Sequence, residues 1–212
     1  MAAAPAPPAL PSVRALSSAG PSASPASSSP PSAGAAPSVV TPPPSAAAAN
    51  EDPPLLAADG SPLPQTEDRP SVSSERFKRR MQLLADSILT GDAEPGKATF
   101  FPLVAYAQVK DVQKPERDYR YRLMANFERD VREYHKALGK QAEQAQFLGI
   151  SVPEDRAQWM KPGKEGNRLG YYRVLRSRLH FRLASGAEKT FELTSMISWR
   201  GEWYVVHLHG FE

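Results

Sequence analysis

The 212-residue chain contains no cysteine. Disulfides, Cys-containing zinc sites, thiol nucleophiles and lipid attachment at Cys are therefore excluded. Long apolar runs are missing as well, since nothing approaches the roughly eighteen residues that a bilayer-spanning helix requires. The opening Met1-Ala2-Ala3-Ala4-Pro5 has neither the basic region nor the unbroken apolar core of a signal peptide. No G-x-S-x-G elbow and no helix-borne H-E-x-x-H occurs, and His135 has no evident nucleophile beside it. The Gly-rich, basic stretch Lys161–Gly170 could cradle an anion on successive backbone N–H groups. It lacks phosphate-loop spacing and precedes a strand pattern, so a plain connecting loop is the better reading. No catalytic residue, cofactor or metal ligand is assigned.

Aromatic residues are missing from residues 1–70, which hold 17 of the 22 prolines and consist mainly of Ala, Pro and Ser. Such a segment buries too little apolar surface to offset a backbone ordering cost of about 1–2 kcal/mol per residue. It reads as a disordered, semi-stiff tail or linker over residues 1–72, followed by a single α+β domain over 73–212. An Ala/Pro/Ser spacer before a small domain resembles the linker of a bacterial envelope-tethered protein whose anchor would lie upstream. Net charge divides the same way, −3 for residues 1–70 and +6 for the remainder. That excess fits an anionic partner but is small enough to be explained by solubility alone.

Within the domain, Ser73-Ser74-Glu75 opens a helix with the stripe Phe77, Met81, Leu84 and Ile88, and Gly91 stops it. A short helix is expected from Phe100 to Val109. A long one runs from Pro115 to Leu138, with Leu123, Phe127, Val131, Tyr134 and Leu138 buried. Arg122, Arg129, Arg132 and Lys136 read as its solvated face. Gln146–Val152 is a short strand and Pro153–Met160 a brief helix. Three alternating segments, Tyr171–Leu183, Thr190–Trp199 and Trp203–His209, form an antiparallel meander joined at Ser185-Gly186 and Arg200-Gly201. The expected register pairs Ile197 with Tyr204, Ser195 with Val206, Leu193 with Leu208, Phe181 with Phe191 and Leu179 with Leu193. Leu175, Leu179, Phe181, Phe191, Leu193, Ile197, Tyr204, Val206 and Leu208 then share the core face.

Helices first, a long-stranded meander last, and the ending Ile197-Ser198-Trp199-Arg200-Gly201-Glu202-Trp203-Tyr204-Val205-Val206 resemble the nuclear transport factor 2-like (cystatin-like cone) superfamily. The resemblance implies N-terminal helices packed on a curved sheet that encloses a conical pocket. Its members include isomerases, dehydratases, ligand carriers and interaction domains, and no residue here matches the acid/base set of the enzymes.

The opposite sheet face supplies the candidate ligand or partner surface: Arg178, His180, Glu192, Trp203, His207 and His209. In the expected register His180, Glu192 and His209 lie in one row, with His207 beside Thr194 and Arg178. Two imidazoles flanking a carboxylate suit an ion with an open position, or acid/base work. Ordinary cross-strand pairing on a solvated face explains the same residues, so no metal is assigned. The face is apolar at one end (Val174, Met196, Trp203, Val205) and basic at the other, which fits an unknown protein or small ligand. It also offers a route to homodimerisation. Nucleic acid is disfavoured, because Phe181 points inward while Arg178 and Arg182 point outward. The expected function is a non-catalytic interaction or small-ligand-binding module. The alternatives are a cone-fold isomerase or hydrolase using His and Glu, and an anion or nucleic-acid binder.

Overall fold

The computed structural model describes residues 52–209. Helix α1 (Glu75–Thr90) begins where Ser74 accepts a hydrogen bond from the Phe77 amide. It ends at Gly91, whose φ of 75° lets its N–H reach Ser87 O. Its expected stripe is buried throughout. A 3-10 turn (Pro95–Thr99) leads to α2 (Leu103–Val109). The expected long helix is present but interrupted: α3 (Pro115–Asp118), a π-helical segment (Tyr119–Met124) and α4 (Ala125–Leu138) follow one another. The i→i+5 bonding of a π segment is rare and recurs at functional sites.

The strands are β1 (Gln146–Ser151), β2 (Gln158–Met160), β3 (Tyr171–Arg182), β4 (Glu188–Trp199) and β5 (Glu202–His207). They form one antiparallel sheet in the order β1-β3-β4-β5, with β2 also paired to β3. The helices pack on this curled half-barrel, so the fold is α+β as expected. The expected helix at Pro153–Met160 is instead a 3-10 turn (Glu154–Arg156) followed by β2, which pairs with the start of β3. Tyr172 holds it there through an edge contact with Trp159.

Two register details differ from expectation. Between β3 and β4 the partners are Leu179 with Phe191 and Phe181 with Lys189, a two-residue slip that keeps each side chain on its face. Between β4 and β5, Ile197 pairs with Tyr204 as expected, but a bulge makes Ser195 the partner of His207. The turn joining β4 to β5 has Arg200 at φ 50° and Gly201 at φ 74°, the two positive angles of a type I′ hairpin.

The sheet face expected to be open is not open at its apolar end. Val174, Met196, Val205 and Trp203 are at most 1% exposed and belong to the core. β4 is buried on both faces from Leu193 to Trp199. The free edge of β5 is covered where Phe100 bridges Val205 in parallel and the Phe101 amide donates to Val205 O.

The expected tail boundary also shifts. The part of the tail reading that covers residues 1–51 lies outside the described residues. Residues 52–72, by contrast, are laid against the domain. Asp52 accepts from the Arg80 guanidinium at 2.7 Å. The Gln65 side chain donates to Ser198 O (3.0 Å) and Gly170 O (3.2 Å), and accepts from the Arg200 amide at 2.7 Å. Two of these bonds clasp the β4–β5 turn and the third holds the residue before β3, each worth about 1 kcal/mol net. Gln65→Ala should therefore lower urea-denaturation stability by about 1–3 kcal/mol. An unchanged midpoint would mean that the clasp contributes nothing.

Candidate functional site

A cavity of about 420 Å³ lies between the α2–π segment and the sheet. The C-terminal end of α2 contributes Tyr106 and Lys110, and the π segment Arg122 and Leu123. Opposite them stand Tyr171 and Arg173 of β3, Ser195 and Ile197 of β4, and Val206 and His207 of β5. Glu165 closes one side from the loop before β3.

The bulge explains the last pair. In a regular strand neighbouring side chains point to opposite faces, but the extra residue at a bulge re-aims one of them. Val206 and His207 therefore both face the cavity. The expected register had put His207 on the opposite face. Arg122, expected on the solvated side of the long helix, lines the cavity beside buried Leu123.

Charges on this wall are mostly matched. Arg122 donates to both oxygens of Asp118, at 2.7 and 2.5 Å, and to the Tyr106 hydroxyl at 3.3 Å. That guanidinium holds the Asp118 carboxyl below its usual range. Tyr106 also donates to Asp118, and burial followed by that carboxylate pushes its hydroxyl up to about 12. Glu165 accepts from Tyr171 OH (2.7 Å) and is ion-paired with Arg173. Burial pushes the Tyr171 hydroxyl up to about 12.

The loop that carries Glu165 is held by Asn167. Its side chain accepts from the Glu165 amide and donates to Lys161 O and Leu169 O. Asp111 N–H reaches Gly166 O and Arg168 N–H reaches Val109 O, so this stretch ties the end of α2 in place. It serves as a connecting loop that also positions an acid.

The six residues singled out from the sequence do not come together. Arg178 and Glu192 are cross-strand partners on an exposed face. His180 sits nearby, its ring nitrogens engaged with Ser151 Oγ (2.9 Å) and Thr190 Oγ1 (3.3 Å). The two-residue slip removes Glu192 from its row. His209 lies beyond β5, where its amide donates to Asp130 and its ring meets Tyr134 edge-on. Trp203 is core, 1% exposed. Only His207 reaches the cavity. Among the described residues no group of three or more His, Asp or Glu is placed to hold a metal ion. None of the described helices is long and apolar enough to cross a membrane.

His207 is held neutral. Burial first, then Arg122 and Lys110, push its pKa from 6.5 to about 4. The unfolded chain therefore carries more protons than the folded one between those values. Stability is full above about pH 6.5 and is lost as the pH falls toward 4. Relative to His207→Phe, the parent chain should lose stability steadily as the pH falls from about 6.5 toward 4. A difference that stays flat would contradict the desolvated imidazole.

No family model, curated protein or solved structure matches this chain.

Proposed function

We propose that this chain is a small-ligand-binding module of the nuclear transport factor 2-like kind, with the cavity as its site and no catalysis of its own. The cavity carries this reading. Its volume falls in the roughly 300–1,000 Å³ range of ligand pockets, and it combines a buried apolar lining with a few convergent polar groups. Leu123 and Ile197 are at most 4% exposed, while Tyr106, Tyr171 and His207 present polar atoms beside them. The helices-on-curled-sheet architecture is compatible with a cone that holds its ligand between the two layers. Fold alone leaves function open, so the lining has to decide.

A ligand that binds only the folded state stabilises it by about 2.7 kcal/mol at a hundredfold excess over Kd. Aromatic and short aliphatic acids, amides and alcohols, screened against the full chain, should include compounds that raise its Tm. Ile197→Trp fills the cavity from β4 and should abolish those shifts while leaving a cooperative unfolding transition. Shifts of equal size in the variant would place binding elsewhere.

One observation favours a second, hydrolytic reading. Ser195 stands directly across from His207 in the β4–β5 ladder, and both line the cavity. A neutral imidazole opposite a hydroxyl is the beginning of a nucleophile–base pair, although a pKa of about 4 makes His207 a weak base. On that reading a fluorophosphonate probe labels the parent chain and not Ser195→Ala. Absence of labelling leaves binding as the function.

A further inference from the structure

We infer that the cavity takes an organic anion, a carboxylate on an apolar body, and that Lys110 is the group that meets the carboxylate. The inference rests on the cavity being the ligand site and adds the chemical class of its occupant.

The charge pattern carries it. Each guanidinium on the wall has its own carboxylate: Asp118 for Arg122, Glu165 for Arg173. Asp111, the remaining acid, faces Arg168 at 3.6 Å. Lys110 alone among these cavity-lining cations has no carboxylate among the described residues. Its ammonium donates to Glu165 O at 3.3 Å and to Tyr171 OH at 3.2 Å, both uncharged acceptors, and lies 5.3 Å from the Tyr171 ring centre. An ammonium has three N–H donors, so one remains to be used. Glu165 is committed to Tyr171 and Arg173 and offers Lys110 only its backbone oxygen.

A half-buried cation next to two others is an unfavourable arrangement. Burial, then Arg122, then Arg173 lower the affinity of Lys110 for its proton. A carboxylate arriving at the amine offsets these costs: it supplies the counter-charge, accepts the spare N–H, and forms a charge-assisted bond in a partly desolvated place. The same lining includes the apolar side chains of Leu123, Ile197 and Val206. A free inorganic anion would leave that surface unused, which is why the ligand is assigned an apolar body. Neutral His207 places no second cation against it.

The test uses the full 212-residue chain and three probes in titration calorimetry at pH 7: 2-naphthoate, 2-naphthamide and inorganic phosphate. The acid and its amide share shape and differ in charge. 2-Naphthoate should bind about tenfold or more tighter than 2-naphthamide, and phosphate alone should give no heat. In Lys110→Met the acid should lose its advantage over the amide, and Lys110→Arg should keep the preference for acid. Lys110→Gln provides a second neutral variant, and the acid–amide comparison on the unaltered chain stands without either. Equal binding of acid and amide, or a preference that survives both neutral variants, overturns the anion inference and leaves the cone reading standing. Phosphate binding as tightly as naphthoate removes the apolar body. If neither organic probe binds, the cone reading fails and takes this inference with it.

Discussion

A guanidinium cannot be left alone in a protein interior, and the position of Arg80 at 2% exposure governs much of this molecule. Its partners come from two segments, the start of β5 and the residues ahead of α1. Glu202 at the start of β5 lies 3.1 Å away and Asp52 of the N-terminal segment 2.7 Å away. Trp203 O and Tyr204 OH accept further bonds, and the guanidinium sits 4.3 Å from the centre of the Tyr204 ring. Each partner is required because an uncompensated buried charge costs several kcal/mol. The demand ties α1 to the last strand and draws residues ahead of the domain onto its surface. Arg76 adds a second cation to Glu202, so each oxygen of the acid faces a guanidinium.

What followed from local chemistry was legible in the sequence. The stripes of α1 and α4, the hydroxyl cap at Ser74, the glycine stop at Gly91 and the two-residue turn at Arg200-Gly201 each depend on residues a few positions apart. The order of elements carried the α+β class in the same way. Register was only half legible. Alternation determines the face of each side chain but tolerates slips by two, and that is the error between β3 and β4. The ordered stretch from residue 52 to 72 was invisible because its bonds are made by Gln65 and Asp52 to residues far along the chain, not by any hydrophobic pattern.

The cavity was the least legible part, for three separate physical reasons. The bulge at Val206 inserts one residue without any local signature, and only that insertion brings His207 onto the cavity wall. The π segment departs from the 3.6-residue period on which Arg122 was assigned to solvent. Lys110 sits at the end of a short helix with nothing beside it in sequence to mark it. Its relevance comes from Tyr171 and Glu165, both more than fifty positions away. Trp203 misled in the other direction, because a tryptophan on the supposed open face is also what a strand buried on both faces contains.

The Gln65 clasp has a kinetic side. Its bonds to Ser198 O and the Arg200 amide close loops of 133 and 135 residues. Contacts of such separation form late, because they wait on the structures they join. The turn must exist before Gln65 can grip it, and Arg200 holds its left-handed angle there against the ordinary preference of a side-chain-bearing residue. The segment before α1 is thus a closing step in folding, set in place after the sheet has formed. It is equally the first part free to lift, uncovering the hairpin tip while the core beneath stays intact.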